Sequence, residues 1–435
     1  MPPALAFIHG LSWSDIPAPV RAQAELSLLD LIGVAAGGLG TRLSRIIRGH
    51  AHAEFGGTLP MLFDGRTASA SGAALAAGMT IDALDGHDGF NPAKGHIGAP
   101  LFPAALMLGH AAGVSGRDFL TSIVLGYEFG ARAAMAQHAT VPDYHTSGSW
   151  GAVTAAAAGA RLRNLPAETT RHALGIAEYH GPRSQMMRCI DTPTMVKDGS
   201  GWGAMTGVSA VNLALAGFTG APALTVEQVP AFWADLGTRW YMLEQYYKPY
   251  PVCRWAQAPI EAALHLRRTH DLTAEAITHI EIHAFHESVR LAMPTPDSTE
   301  AAQYSTSFPV AIALARGAIT PNDICDNAVH DTDILNLAGK ITMVESDHAN
   351  RHFPLKRLAR VIIHTGRARF ESDWHEPRWD HTAPPSPSEL RAKYHALADP
   401  VLGRNHASRI EESLSGLDER PLSHLSDQLL RPIKA

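Results

Sequence analysis

The spacing of hydrophobic and polar residues divides the chain into two parts with different secondary structure. Up to residue 266 the apolar residues recur at helical spacing or form alanine-rich runs, which predicts helices. These predicted helices cover residues 18–37, 42–56, 68–84, 150–162, 167–179 and 204–216, with two more between 101 and 138. From residue 267 onward, the segments HIEIHAFHE (279–287) and ARVIIHTGRARFES (359–372) alternate as strands do.

The second part combines these strands with further helices. Helices are predicted at residues 299–316, 321–327, 389–398 and 408–417. The proline-rich segment HTAPPSPS (381–388) reads as a linker before the last two of them. The pattern therefore predicts a mainly α protein, in which a large all-helical domain at residues 1–266 is completed by residues 386–435. Residues 267–385 are predicted to form a smaller α+β domain.

The composition is typical of a globular protein with a large core. The chain has 435 residues, of which 46% are hydrophobic and 18% are charged, and its net charge is −6. A weakly acidic chain is not expected to bind nucleic acid or an anionic membrane. The three cysteines lack CxxC spacing and the N-terminus does not resemble a signal peptide, so we expect a cytoplasmic protein.

The densest group of ionisable residues interrupts the apolar pattern at residues 81–103, IDALDGHDGFNPAKGHIGAPLFP. Apolar runs precede and follow this segment, and its glycines and prolines end any helix. It is therefore predicted to be a loop held by two helices, where binding and catalytic residues often lie. Its candidate functional residues are Asp82, Asp85, His87, Asp88 and His96. Taken alone, the segment is also compatible with a solvated turn, since Asp and Gly are common turn residues.

Three further polar segments carry similar side chains. VPDYHTSGSWG places Tyr144 and His145 directly before a helix, where free backbone N–H groups bind carboxylates. TMVKDGSGWG places Lys197 in a glycine-rich entry to a helix, but no strand precedes it and no GK[ST] follows, so a nucleotide site is only weakly indicated. YYKPYPVCRWA contributes Lys248 and Arg254. Lysine can change its protonation state when it is desolvated, so both lysines are candidate acids or bases.

In their order and spacing, these segments resemble the MmgE/PrpD family, which contains 2-methylcitrate dehydratase, cis-aconitate decarboxylase and iminodisuccinate epimerase. The resemblance covers nearly the whole chain, from LLDLIGVAAGG through the loop at 81–103 and KPYPVC to AQYSTSFPVAIAL (302–314). It implies an all-helical domain packed against a smaller α+β lid, with the site between them. It also implies a homodimer that uses no metal ion and no organic cofactor.

The resemblance implies a site built from Asp82, His96, His145, Lys197 and Lys248. Two departures from the family stand out. The segment DGHDGFNPAKG, between Asp82 and His96, is longer than in the decarboxylase. Phe308 stands where relatives such as the decarboxylase carry a tyrosine, which predicts that a hydroxyl assisting proton transfer is missing and disfavours decarboxylation.

These residue types suit the removal of a proton from a carbon next to a carboxylate. That chemistry needs a base of near-neutral pKa and cations that stabilise the developing charge. His96 and His145 are the candidate acid and base, since the unperturbed pKa of histidine is about 6.5. Asp82 can orient a histidine, while Lys197 and Lys248 can neutralise carboxylates. The other candidate substrate-binding residues are Asp85, His87, Tyr144 and Arg254.

We therefore predict a lyase or isomerase of a small di- or tricarboxylate. Among these, a hydro-lyase similar to 2-methylcitrate dehydratase is the preferred prediction. An iminodisuccinate-type epimerase and a cis-aconitate-type decarboxylase are alternatives, because all three use the same proton transfer. Two other classes stay open, namely a non-catalytic binding protein and a metal-dependent hydrolase with Asp85, His87, Asp88 and His96 as ligands. A serine hydrolase is not indicated, since the chain lacks the Ser–His–Asp order and the GxSxG motif.

Overall fold

The computed structural model describes residues 2–433, so residue 1 and residues 434–435 of the predicted helical domain lie outside the description. The helices of the N-terminal part are α1 (Pro3–Gly10), α2 (Ala18–Gly38), α3 (Arg42–Glu54), α4 (Ala70–Asp82), α5 (Gly98–Ala112), α6 (Gly116–Thr140), α7 (Ser147–Leu162), α8 (Ala167–His180), α9 (Met186–Asp191), α10 (Ser200–Leu215) and α11 (Leu224–Glu227). The later helices are α12 (Arg254–Thr269), α13 (His286–Val289), α14 (Thr299–Tyr304), α15 (Phe308–Arg316), α16 (Thr332–Ala338), α17 (Asp347–His352), α18 (Pro387–Leu402), α19 (Arg404–Leu414) and α20 (Ser423–Leu429). The strands are β1 (Leu59–Pro60), β2 (Thr67–Ala68), β3 (Gly89–Phe90), β4 (Gln245–Tyr246), β5 (Ile277–Ala284), β6 (Ile341–Glu345), β7 (Ala359–Thr365) and β8 (Arg369–Glu371).

Small side chains let the central helices of the N-terminal part pack closely. α10 packs against both α4 and α7, and α5 packs against α4 and α7. A Cβ on Gly78 of α4 would lie only 2.5 Å from the Cα of Gly201 in α10. The alanines and glycines of these helices are almost all buried, so the helices form one continuous core. This packing fixes the ends of α4 and α10, which carry polar residues.

The C-terminal part is built around a four-stranded sheet in the order β6-β5-β7-β8. β5 pairs parallel with β6 and antiparallel with β7, and β8 returns antiparallel to β7. α12 packs against both β7 and α15, so this part has its own helical layer. The predicted fold class, a mainly α protein with a smaller α+β part, is confirmed.

Several predicted elements differ from those observed. The helix predicted at 299–316 is broken, because the Ser305 hydroxyl accepts the backbone N–H of Phe308 at 3.0 Å and starts a new helix there. The helix predicted at 321–327 is only the short 3-10 turn Pro321–Asp323. Strand β6 was not predicted, since the segment ITMVE is short and none of its side chains is fully buried.

The helices after the linker pack on the start of the chain. α18 lies along α2, where a Cβ on Gly33 would be 3.1 Å from the ring of Tyr394. Lys393 of α18 donates to Asp30 Oδ1 at 2.5 Å and to the carbonyl oxygen of Gly86 at 2.7 Å. The domain boundaries at residues 266 and 386 stay predictions.

No single helix among residues 2–433 is both long and apolar enough to cross a bilayer. α2 and α3 reach the required length and hydropathy only together, and they meet at an angle of 95°.

Candidate active site

The central loop, residues 83–97, connects the buried end of α4 to the start of α5 and carries many of the predicted site residues. Strand β3 lies within it and pairs antiparallel with β4, with Gly89 opposite Tyr246. Gly89 allows this close approach, because a Cβ there would lie 2.4 Å from the Tyr246 hydroxyl. The pairing brings Lys248, which follows β4, next to Asp85.

Asp85 and Lys248 form a buried ion pair. Lys248 Nζ donates to Asp85 Oδ1 and, at 3.2 Å, to the carbonyl oxygen of Asp85. The amide oxygen of Gln303 accepts the backbone N–H of Asp85 at 2.9 Å and Lys197 Nζ at 2.8 Å. Burial opposes ionisation, but the charges of Lys248 and Lys197 hold the pKa of Asp85 well below its usual range. Asp85 in turn raises the pKa of Lys248 against the effect of burial, so both groups are charged at pH 7.

His96 is held in one tautomer by the central loop. Its Nδ1–H donates to the carbonyl oxygen of Asp88, which leaves Nε2 as an acceptor. Nε2 lies 3.5 Å from Asp198 Oδ2 and 3.9 Å from Asp85 Oδ1. Burial lowers the pKa of His96 to about 3. The ring is therefore neutral at pH 7, with an unprotonated nitrogen among polar groups.

Asp198 connects His96 to two other elements. Its carboxylate accepts the hydroxyl of Ser147, at the start of α7, at 3.0 Å and the phenol of Tyr304 at 3.2 Å. The Ser147 hydroxyl also accepts the backbone N–H of His96 at 3.0 Å. Burial raises the pKa of Asp198, so this carboxyl group can share a proton with His96 Nε2. Sequence reasoning missed Asp198, although its place directly after Lys197 was an available signal.

Tyr304 supplies a phenol near the position at which the sequence predicted that a hydroxyl is missing. Phe308 is fully buried in the hydrophobic core, whereas Tyr304 lies at the end of α14 and lines the cavity. The ammonium group of Lys197 lies 4.8 Å from the centre of the Tyr304 ring. The phenylalanine at position 308 therefore does not disfavour decarboxylation, because the site holds the phenol of Tyr304. Tyr304 stands in the segment AQYSTSFPVAIAL, four positions before Phe308.

Asp82 and His87 lie behind His96. Asp82 accepts the backbone N–H of Ser200, at the start of α10, at 3.0 Å, and its other oxygen lies 3.2 Å from His87 Nε2. Burial raises the pKa of Asp82 to about 6, and burial followed by the charge of Lys248 lowers the pKa of His87 to about 3. The His87 and His96 rings meet edge to face, with centroids 4.1 Å apart. The histidine that Asp82 orients directly is thus His87.

A cavity opens on these groups between the N-terminal and C-terminal parts of the chain. Its walls include the predicted residues Asp85, His96, Tyr144, Lys248 and Arg254. Residues that were not predicted also line it, among them Lys94, Asp198, Tyr246, Trp255, Tyr304, Phe353 and Arg357. The predicted residues Asp82, His87 and Lys197 lie behind this lining and contact it. Sequence reasoning gave no signal for Arg357, which stands in a polar segment typical of a surface loop.

Like Asp82 and Lys197, the predicted catalytic residue His145 is not part of the cavity lining. Its Nδ1 lies 2.8 Å from the carbonyl oxygen of Asp143, and its backbone forms a bridge with Gln185. The neighbouring Tyr144 does reach the cavity, where its hydroxyl donates to the carbonyl oxygen of Lys94. The acid–base pairing of His96 with His145 therefore stays a prediction, and the ionisable group that lies beside His96 Nε2 is Asp198, at 3.5 Å.

A cation site is also conceivable at this place. Asp85, His87 and His96 each offer one ligand atom, and these atoms lie within 4.8 Å of one another. However, Asp85 Oδ1 is bonded to the ammonium group of Lys248, and His87 Nε2 faces Asp82. A divalent cation bound to Asp85 would be repelled by the positive charge of Lys248, which is paired with the same carboxylate. The site therefore suits an anion better than a metal ion.

Comparison with known proteins places this geometry in a family. The sequence profile of the MmgE/PrpD N-terminal domain matches residues 5–236, and that of the MmgE/PrpD C-terminal domain matches residues 250–419. The chain is 22% identical to cis-aconitate decarboxylase of Aspergillus terreus, over 98% of this chain and 94% of that protein. It is 24% identical to the cis-aconitate decarboxylase-like protein oryM of Aspergillus oryzae, over 95% and 93%. These relatives indicate a lyase-type family, and because both profiles match, the chain belongs to the MmgE/PrpD family.

Proposed function

We propose that the protein is a metal-independent hydro-lyase that removes a proton next to a carboxylate of a small di- or tricarboxylate. The observation that carries this proposal is the composition of the cavity wall. A neutral His96 with a free Nε2 lies beside Asp198, while Lys248 and Arg254 supply buried positive charge. A proton acceptor, a proton donor and cations are the groups that elimination of water next to a carboxylate requires.

The proposed step begins with proton transfer from the substrate carbon to His96 Nε2. The electron pair left on that carbon delocalises into the adjacent carboxylate, and Lys248 stabilises the added charge. Asp198, in its protonated form, donates its proton to the departing hydroxyl group, which leaves as water. The 3.5 Å separation between His96 Nε2 and Asp198 Oδ2 then lets the proton return to Asp198. Tyr304 holds Asp198 in place through its hydrogen bond.

A cis-aconitate-type decarboxylase is the second candidate. It is favoured by the names of the two relatives, and Tyr304 supplies a phenol although Phe308 does not. Dehydration remains the preferred proposal. Loss of carbon dioxide requires only a proton donor, whereas this site offers a proton donor, Asp198, beside a proton acceptor, His96. A metal-dependent hydrolase is disfavoured by the ion pair of Lys248 with Asp85.

Proton NMR in D₂O, with and without EDTA, tests the proposal directly. The wild-type chain is incubated with citrate, 2-methylcitrate, cis-aconitate and iminodisuccinate. We expect water elimination from a hydroxy-tricarboxylate, with deuterium exchange that EDTA does not abolish. Loss of carbon dioxide would instead establish the decarboxylase, and inhibition by EDTA would support a metal enzyme. Silence with every compound would favour a non-catalytic binding protein.

A second test changes one cation of the site. Lys197→Met removes a positive charge that lies next to Tyr304 and Asp85, so turnover should fall by about 100-fold or more. The fold should stay intact, because Gln303 still accepts the backbone N–H of Asp85. Steady-state kinetics and circular dichroism measure both effects. The matched control is Lys356→Met, at an exposed lysine paired with Glu376, and full activity of Lys197→Met would remove Lys197 from the assignment.

A further inference from the structure

Two arginine side chains in the cavity wall neither give nor take a proton in the proposed step, although Arg254 adds to the positive charge of the site. Arg254 is the first residue of α12, and Arg357 lies between α17 and β7. Each is only 6% exposed, and both line the same cavity as His96 and Lys248. Buried arginines are rare unless a carboxylate or phosphate neutralises them.

Protein groups satisfy these two guanidinium groups only in part. Arg254 Nη2 donates to Asp380 Oδ2 at 2.5 Å, and the guanidinium carbon lies 4.0 Å from the centre of the Tyr246 ring. Arg254 Nε and Nη1 are buried without a hydrogen-bond partner, and so is Arg357 Nε. Asp380 is also shared with Asn91, which donates to the same oxygen at 2.9 Å. Within residues 2–433, three buried nitrogen atoms of the two side chains thus lack a hydrogen-bond acceptor.

The other carboxylates of the cavity are engaged elsewhere. Asp85 is bonded to Lys248, and Asp198 accepts from Ser147 and Tyr304. Burial and then the charge of Arg357 lower the pKa of Arg254, but only to about 10, so the side chain is still charged at pH 7. The two guanidinium charges therefore lie close enough to repel each other, and the Asp380 carboxylate is bonded to Arg254 alone of the two. A buried arrangement of this kind is stabilised by an anion from outside the chain.

We propose that Arg254 and Arg357 form a subsite for a second carboxylate of the substrate, remote from the carbon that loses its proton. This inference rests on the proposed function and adds what selects the substrate. Guanidinium groups bind carboxylates through paired N–H donors, which matches the free donors seen here. The substrate is then required to carry at least two carboxylates, one near Lys248 and one between the arginines.

Calorimetric binding of propane-1,2,3-tricarboxylate tests this subsite without depending on turnover. Arg357→Met removes the charge and keeps similar bulk, and it should weaken binding by about 10- to 100-fold. Arg357→Lys should bind with intermediate affinity, since lysine keeps the charge but loses the planar pair of donors. The matched control is Arg360→Met in the same segment, because Arg360 pairs with Glu371 instead, and its binding should stay within about twofold of wild type.

Each outcome decides between the two proposals. Equal affinity of Arg357→Met and wild type, or no binding by the wild-type chain, overturns the subsite. Loss of affinity in both Arg357→Met and Arg360→Met to the same extent would indicate a structural effect and also overturns it. Tight tricarboxylate binding by a chain that converts no substrate leaves the subsite standing and rejects the proposed hydro-lyase. The neutral triamide of the ligand should not bind, which confirms that charge is recognised.

Discussion

At the residue scale, the site contains buried carboxyl groups whose pKa values are shifted in opposite directions. Asp85 is ionised because two lysines face it, whereas burial raises the pKa of Asp88 to about 7. Asp88 Oδ2 accepts the hydroxyl of Tyr127 at 2.5 Å, while Oδ1 has no hydrogen-bond partner among residues 2–433. The same residue supplies the carbonyl oxygen that fixes the His96 tautomer. Asp88 therefore combines a buried carboxyl group of raised pKa with the backbone contact that orients His96.

Asp88→Asn should change how stability depends on pH. A carboxyl group whose pKa is raised on folding stabilises the protein fully below its unfolded value near 4, and this contribution is lost as the pH rises toward 7. Asparagine mimics the protonated acid, so relative to wild type the variant should gain roughly 2–3 kcal/mol between pH 5 and pH 7.5, at ~1.4 kcal/mol per pKa unit. Urea unfolding at both pH values measures this.

The control for this variant is Asp373→Asn, at an exposed position. Its stability relative to wild type should be the same at both pH values. A pH-independent difference between Asp88→Asn and wild type would contradict the buried, protonatable state of Asp88.

Lys248→Met should abolish turnover and also destabilise the fold. The change leaves the Asp85 carboxylate buried without its partner, which typically costs about 3–5 kcal/mol. The double variant Lys248→Met with Asp85→Asn should recover part of that stability but no activity. Denaturant unfolding and a turnover assay on all three variants measure these effects. A double variant no more stable than the single one would show that the ion pair is not the reason for the loss.

The sequence pointed to many residues of the site, for a physical reason. Asp85, His96 and Lys248 interrupt apolar segments, and ionisable groups in such places must be paired or solvated. Arg357 could not be found in this way, because its polar neighbours resemble an ordinary surface loop. His145 looked equivalent to His96 in sequence, and only the fold shows that its ring does not line the cavity. Burial of a polar residue is a property of tertiary structure.

At the element scale, glycine contacts hold the polar ends of two helices in place. α4 and α10 approach each other through Gly78 and Gly201, and Ser200 at the start of α10 donates to Asp82 at the end of α4. The alanine- and glycine-rich patterns of these helices predicted close packing. The break between α14 and α15 was not predicted, because it depends on hydroxyl groups that compete with the helix for backbone N–H groups.

Gly201→Ala should force these two helices apart. The added methyl group would lie 2.5 Å from the carbonyl oxygen of Leu75, which is backbone and cannot rotate away. We expect a loss of about 1–3 kcal/mol in the free energy of unfolding, as for other overpacked cores. Turnover should fall as well, since the Ser200 N–H bond to Asp82 shifts. Urea unfolding and kinetics measure the two effects.

Gly10→Ala is the matched control, because a Cβ at Gly10 meets no atom within 4 Å. It should leave both stability and turnover close to wild type. If Gly201→Ala behaved like this control, the close contact between α4 and α10 would not be needed for the site.

At the scale of the whole molecule, residues from both ends of the chain pack together against the central loop. α18 packs on α2, and Lys393 reaches the carbonyl oxygen of Gly86 in the central loop. The hydrophobic pattern predicted both kinds of structure in their correct order along the chain. It did not predict which elements meet, because long-range pairing depends on shape and not on local periodicity.

The homodimer implied by the family resemblance leads to a test at this scale. Trp202 and Leu213 lie on one face of α10, and each is 40% exposed. Exposed apolar side chains on one face often mark a contact between subunits. We expect light scattering after gel filtration to give a dimer for wild type and a monomer for Trp202→Glu with Leu213→Glu. Leu355→Glu, at an exposed leucine elsewhere, should remain a dimer, and a monomeric wild type would contradict the prediction.

The pairing of β3 with β4 also sets the order in which the site is completed during synthesis. Residues 89–90 leave the ribosome long before residues 245–246, and Lys248 follows later still. A contact between such distant residues forms only after the intervening chain has been made and folded around it. Nascent chains that stop before Lys248 therefore hold Asp85 and His96 without the cation beside them. Unfinished products of translation should accordingly be catalytically silent.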